Sequence, residues 1–193
     1  VVAKNIESKA GTRMSDYTEE FDYLISSGIA LEVKAISKPS FPLIENSGKN
    51  LLKLYMNDVG LLTSIFFGNS IKAVMDDMAS INLGSVYETV VAQELLAHGF
   101  NLFYYDNKKN GEVDYLIDDM TNLSVMPIEV KSGKNYKVHS ALDRFLQTKE
   151  YNINEAFVLS NAREVETVDG ITYLPIYYIS CFSHDTEEEV LLE

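Results

Sequence analysis

Asp114, Glu129 and Lys131 are two carboxylates and an amine close enough in sequence to work together on a phosphate. They lie in two short runs, Gly111-Glu112-Val113-Asp114-Tyr115-Leu116-Ile117 and Pro127-Ile128-Glu129-Val130-Lys131. Side chains alternate along a strand, so Glu112 and Asp114 are expected on one face and Val113, Tyr115 and Ile117 on the other. Glu129 and Lys131 oppose Ile128 and Val130 in the same way. If the two strands pair, Asp114 lies beside Glu129 with about 5 Å between their Cβ atoms. Two carboxylates that close repel unless a cation sits between them, and a hard divalent ion such as Mg²⁺ suits two carboxylates, the Val130 carbonyl and waters. Lys131, next along the face, would hold or deprotonate the attacking water, or neutralise charge on an attacked phosphate. The plainer alternative is an amphipathic hairpin whose polar positions recur at every second residue, with Lys131 paired to Asp114 or Glu112 as a surface salt bridge.

The elements that must position these residues can be read along the chain. Ser15-Asp16-Tyr17-Thr18-Glu19 has the signature of a helix cap, and Tyr17, Phe21, Leu24 and Ile25 recur at helical spacing until Gly28. Ile29 to Ile36 reads as a strand, Pro39 and Pro42 break it, and Leu51 to Met56 resumes after a polar loop, Glu45 to Asn50, so that the two form a ribbon. A helix followed by such a ribbon looks like the second half of a winged helix. Its first half is missing, and Val1 begins as if inside a helix, so the chain reads as part of a longer protein. Val59 opens a short apolar helix, and a linker-like stretch then runs to Ser80. A longer helix follows, with Val86, Tyr87, Val90, Val91, Leu95 and Leu96 on its apolar face, ending at Gly99. Strands are expected at 102–105, 112–117, 127–131, 156–160 and 171–179, with turns at 107–111 and 118–122, a helix at 139–149, and Cys181 as a small apolar residue of the last strand. The fold class is therefore α/β, a mixed sheet flanked by helices.

Composition bounds the function. The chain has 193 residues, 46% of them hydrophobic, enough for one full domain and a smaller piece. No apolar run approaches the roughly 20 residues of a bilayer-spanning helix, and a lone cysteine fits a reducing cytoplasm. The formal net charge of −13 excludes a protein that coats nucleic acid non-specifically. Lys131, Lys134, Lys137, Arg144 and Lys149 nevertheless meet only Asp143 over their stretch, a local basic strip that is either a solvated helix face or a place for phosphates. No Gly-x-x-x-x-Gly-Lys-Ser/Thr motif occurs, since Gly48-Lys49 precedes Asn50 and Gly133-Lys134 precedes Asn135, so no ATP site is expected here. His98, His139 and His184 have no zinc-site spacing.

Asp114 with Glu129-Val130-Lys131, behind a helix carrying Glu88, resembles the PD-(D/E)XK nuclease superfamily, whose core runs α, β, β, β, α, β. More specifically, Val86-Tyr87-Glu88 through Glu94-Leu95, Phe103-Tyr104-Tyr105, Glu112 to Ile117, Pro127 to Gly133 and Ser140-Ala141-Leu142 resemble the domain of unknown function 4143. That domain typically forms the C-terminal part of bacterial and archaeal AAA-type ATPases, behind a winged helix. Leu54 to Leu62 and the stretch from Gly11-Thr12-Arg13 to Tyr17 resemble its linker and winged-helix remnant. The resemblance implies a winged-helix remnant over 1–58, a restriction-endonuclease-like domain over 59–180 and an acidic tail over 181–193. It implies Asp114 and Glu129 as metal ligands, Lys131 as the catalytic lysine and Glu88 as the acid from the helix. Glu94 lies about 240° further round that helix, so only one of the two glutamates faces the sheet, and Thr89 stands where the family usually has Asn. Lys134, Lys137, Arg144 and Lys149 would touch DNA or RNA. The partner implied is the ATPase domain of the same protein, the cofactor Mg²⁺, and the location cytoplasmic. Two functions follow from different premises: a Mg²⁺-dependent phosphodiesterase, or a nuclease fold turned into an inactive binding or regulatory module.

Overall fold

The computed structural model describes residues 14–47, 51–68, 72 and 82–183. The Gly11 to Arg13 stretch, the end of the polar loop at 48–50, nearly all of the linker to Ser80 and the acidic tail from residue 184 lie outside them. Among the described residues, eight strands form one mixed sheet: β1 (Ala30–Ile36), β2 (Leu52–Met56), β3 (Phe103–Asn107), β4 (Gly111–Asp119), β5 (Ser124–Lys131), β6 (Ala156–Ser160), β7 (Glu166–Val168) and β8 (Ile171–Pro175). Their order across the sheet is β2-β1-β3-β4-β5-β6-β8-β7. β3, β4 and β5 form an antiparallel meander, whereas β1 joins β3, β6 joins β5 and β8 joins β6 in parallel. Helices α1 (Thr18–Ser26), α2 (Val59–Phe67), α3 (Gly84–Ala97) and α4 (Ser140–Leu146) accompany it.

Each face of the sheet carries its own core. On one, Val91, Ala92 and Leu95 of α3 pack on Val33, Tyr104, Tyr115, Ile117, Ile128 and Val130. On the other, Leu142 and Phe145 of α4 pack on Phe103, Tyr105, Val113, Leu116 and Val125. Burial of this kind is the main favourable term in folding, about 25 cal/mol per Å² of apolar surface removed from water. Leu62 of α2 meets Leu83 and Val86 in a third, smaller cluster at the start of α3.

Several expectations are corrected. The ribbon β1–β2 forms, from Ala30 opposite Met56 to Lys34 opposite Leu52, but β1 is also hydrogen-bonded to β3, with Lys34 opposite Phe103. The ribbon thus supplies the outer two strands of the sheet that holds Asp114 and Glu129. The expected cap of the first helix is replaced by a 3₁₀ turn, Met14–Tyr17, and the N-cap position of α1 is taken by Tyr17, whose side chain does not cap the helix. Leu96 is exposed, and Thr89 takes an inward position instead. The last strand stops at Pro175, and Ile176–Cys181 is a 3₁₀ helix, which leaves Cys181 exposed rather than buried in a strand. β7 has no sequence signal because all three of its residues are exposed.

The alternation expected in β4 is also broken. Phe103 pairs with Leu116 but Tyr105 pairs with Val113, so β4 spends three residues where β3 spends two. This β-bulge sends Val113 and Leu116 to the α4 side and Tyr115 and Ile117 to the α3 side. Bulges re-aim side chains in this way and are frequent beside functional sites. Asp114 lies within the bulged stretch and still shares a face with Glu112, since Lys53 reaches both.

Candidate metal and phosphate site

The β4–β5 ladder runs from Asp119 opposite Ser124 to Tyr115 opposite Ile128. One step further, the Asp114 side chain replaces the backbone as acceptor: the Val130 N–H donates to its Oδ2 at 2.8 Å. A carboxylate thus sits in the sheet where the two strands separate, beside the Glu129 that the register brings opposite it. Glu129 is buried, with 5% exposure. Its Oε1 accepts from the Lys131 ammonium at 2.6 Å, so the ion pair expected between Lys131 and Asp114 or Glu112 is instead made along the strand with Glu129. Its Oε2 is buried with no hydrogen-bond partner.

Burial is the largest influence on Asp114, and Glu129 adds like-charge repulsion. Lys53 and the Val130 amide act against these, Glu88 adds further repulsion, and the pKa is pushed up to about 8. Burial also works against the charge on Lys131, but its hydrogen bond to Glu129, with Asp114 and Glu88 nearby, outweighs this and raises its pKa.

Glu88 rather than Glu94 faces this cluster. Its Oε2 accepts from the Tyr55 hydroxyl at 2.7 Å, and its backbone carbonyl accepts from the Tyr115 hydroxyl at 2.8 Å. Burial, then Tyr115 and Glu88, push the Tyr55 phenol far above its usual range. Thr89 is occupied within the helix, donating to the Ser85 carbonyl at 2.7 Å.

Two residues of the site were not singled out from the sequence, Lys53 and Tyr55. Both belong to β2. Lys53 Nζ is 2.6 Å from Glu112 Oε1 and 3.9 Å from Asp114 Oδ1, and it crosses the Tyr104 ring at 4.8 Å. The only sequence signal was their i, i+2 spacing on a ribbon whose sheet neighbours the sequence does not show.

The basic strip is divided. Lys137 pairs with Glu166 at 2.5 Å and lies over the Tyr173 ring. Arg144 donates through Nε to the Asn110 carbonyl at 2.9 Å, fastening the β3–β4 turn. Lys134 and Lys149 are exposed.

The donors gathered here are oxygens, which suits a hard divalent cation. Among the described residues no group of three or more His, Cys, Asp or Glu side chains sits close enough to share an ion. A cation would therefore take Asp114 and Glu129, with backbone carbonyl and water completing its shell. A cavity of about 430 Å³ lined in part by Phe100, Met126, Phe157 and Phe182 lies apart from these residues.

These observations describe a mixed α/β domain with a largely buried acid pair and a lysine at the open end of a strand pair. The family model of the domain of unknown function 4143 (DUF4143) matches residues 83–179, half of the chain, and the chain belongs to that family. No curated protein matches the chain, and neither does any solved structure. The matched stretch holds Glu88, Asp114, Glu129 and Lys131, whereas Lys53 and Tyr55 lie outside it. Among the described residues, no helix is long and apolar enough to cross a membrane.

Proposed function

We propose that this chain carries a metal-dependent phosphodiesterase site of the PD-(D/E)XK type. Asp114 and Glu129 are the ligands of a Mg²⁺ or Mn²⁺ ion, Lys131 is the catalytic lysine, and Glu88 is the acid supplied by the helix. The observation that carries this reading is the partnerless, buried Oε2 of Glu129 beside Asp114. An unsatisfied buried polar atom costs about 1–3 kcal/mol, and more when charged. Such a cost is expected at a site whose ligand offsets it.

Charge points the same way. Glu88, Glu112, Asp114 and Glu129 carry four negative charges once all are ionised, Lys53 and Lys131 two positive ones, and one divalent cation would balance the residual −2. When bound, the ion polarises a phosphoryl oxygen. Lys131, held by Glu129 and with 31% of its side chain exposed, neutralises charge that develops on the phosphate. The Val130 amide holds the Asp114 carboxylate in place before any ligand arrives.

The chain order α3, β3, β4, β5, α4, β6 is the order expected of a restriction-endonuclease-like core. From the family to which residues 83–179 belong, rather than from this order, we propose that the domain is the C-terminal part of an AAA-type ATPase in the cytoplasm, behind a winged helix, with DNA or RNA as substrate. Lys134 and Lys149 are then the exposed phosphate contacts. The net charge of −13 favours a second reading, a catalytically inactive module that regulates or docks the ATPase.

The test is calorimetry of the full chain with Mn²⁺ alongside cleavage of mixed-sequence DNA and RNA. One saturable Mn²⁺ event, absent in Asp114→Asn, together with Mn²⁺-dependent cleavage is the expected result. Mn²⁺ binding without cleavage of any nucleic acid selects the module. No Mn²⁺ binding at all removes the metal site.

A further inference from the structure

Among the described residues β2 is the outermost strand on its side of the sheet, it lies outside the family match, and it sends two side chains to the acid cluster. Tyr55 and Lys53 are two positions apart, so they share a face. Each reaches a different acid. The Tyr55 hydroxyl donates to Glu88 Oε2 at 2.7 Å, and its ring stands 6.0 Å from that of Tyr115, whose hydroxyl bonds the Glu88 carbonyl. The Lys53 ammonium lies between Glu112 and Asp114, with only 18% of its side chain exposed. To get there it runs across the Tyr104 ring of β3. A lysine on an edge strand ordinarily extends into solvent, where its side chain keeps its rotamer freedom.

We infer that β2 is a working part of the site, with Tyr55 a positioning residue for Glu88 and Lys53 a resident counter-charge on Asp114 that a divalent ion must displace or tolerate. This rests on the metal reading above. A carboxylate near an ion acts at full strength only when its own hydrogen bonds fix its direction, and Tyr55 supplies that bond to Glu88. Lys53 acts in the opposite sense. It favours the charged form of Asp114, 3.9 Å away, while the site holds no ion, and it repels a divalent ion that arrives. Displaced from Asp114, it remains tied to Glu112 at the rim, where an anionic substrate can meet it as well as Lys131.

The two residues therefore predict opposite shifts in one measurement. In calorimetry of the full chain with Mn²⁺, Tyr55→Phe should weaken binding about 3-fold, less than losing a hydrogen bond to a direct metal ligand costs, because Glu88 stands beside the ion. Lys53→Met should tighten it about 3- to 10-fold by removing a positive charge a few ångströms from the ion. Lys53→Arg should restore the wild-type value. Tyr55→Phe keeps the ring and Lys53→Met keeps the aliphatic stem, and circular dichroism of each variant should match wild type. A strand with only a structural role would move both affinities the same way or neither, and either result overturns the inference while leaving the metal site standing. Absence of Mn²⁺ binding by the wild-type chain overturns the metal site and this inference together.

Discussion

Replacing Asp114 with Asn should stabilise the metal-free protein, an unusual direction for the loss of a partly buried, hydrogen-bonded side chain. In the fold its carboxyl titrates at about 8, raised by burial and then by Glu129, against an ordinary value of 3.8. As pH rises from about 4 to about 8 the unfolded chain releases a proton that the fold retains, so stability falls across that window. Above about 8 both states are ionised and the penalty is constant. At about 1.4 kcal/mol per pH unit the ceiling at pH 7 is about 4 kcal/mol. Water reaching the 15% of the side chain that is exposed, and Lys53 moving closer, reduce the effect to roughly 1–3 kcal/mol. Asn keeps the oxygen that accepts from the Val130 amide and nearly the same volume, so packing does not cancel the gain. For a chain of 193 residues this corresponds to a rise in Tm of about 3–10 °C. Thermal melts in chelator at pH 5, 7 and 9 check it: the gap between Asp114→Asn and wild type should widen from pH 5 and level off above pH 8. Mn²⁺ should then raise the Tm of wild type and leave the variant unmoved. An Asp114→Asn protein that melts below wild type at pH 8 in chelator would refute the argument, because Asp114 would then be a tie between Val130 and Lys53 rather than a strained ligand.

Lys131→Met should lower Mn²⁺-dependent cleavage at least 100-fold with little change in KM, since its ammonium acts on charge that develops during reaction; equal loss in kcat and substrate affinity would reassign it to binding. The same variant leaves the buried Glu129 without its cation, and the metal-free Tm should fall by an amount reflecting roughly 1–3 kcal/mol, recovered in part by Mn²⁺. Lys134→Glu with Lys149→Glu should weaken DNA binding and flatten its salt dependence by about two phosphate contacts, whereas Lys137→Ala should change binding little because Glu166 already holds that lysine; filter binding from low to moderate salt separates the two. His139→Gln should cost roughly 1–3 kcal/mol of stability and leave Mn²⁺ affinity unchanged. His139 is buried between Asp143 at 2.9 Å and Tyr173 at 2.7 Å and pins the start of α4 to β8; a loss of Mn²⁺ binding by a folded His139→Gln protein would tie this clip to the site.

The local signals were legible where periodicity is strong. The strand at 156–160 has the bounds expected from sequence, and α3 and the β4–β5 pairing fall where the apolar spacing puts them. Legibility failed where tertiary contacts override local pattern. Ile171 to Ile179 is a continuous β-prone run apart from Pro175, yet the chain turns at that proline into a 3₁₀ helix whose Ile179 joins the α3-side core. Thr89 reads as a polar helix residue but turns inward, because its hydroxyl is satisfied by the carbonyl of Ser85.

The larger omission concerns β2, and its cause is topological. Leu52–Met56 reads as half of a ribbon, and no local rule says that the ribbon's other strand will pair in parallel with a strand that begins 67 residues after it ends, Phe103 after Ile36. That pairing brings Lys53 and Tyr55 to acids on α3 and β4. The β4 bulge is equally silent in sequence, since strict alternation would put Val113 and Tyr115 on one face, whereas the bulge puts them on opposite faces with Asp114 between them. The identities of the acids and of Lys131 were therefore readable from spacing, while the residues that hold them depended on two non-local events, a parallel pairing and a bulge. The stretch that carries the family match contains the acids and lacks β2. A chain of the same family without an equivalent of Lys53 would lose the counter-charge on Asp114, and by the electrostatics above it should bind a divalent ion more tightly and melt at a lower temperature in chelator.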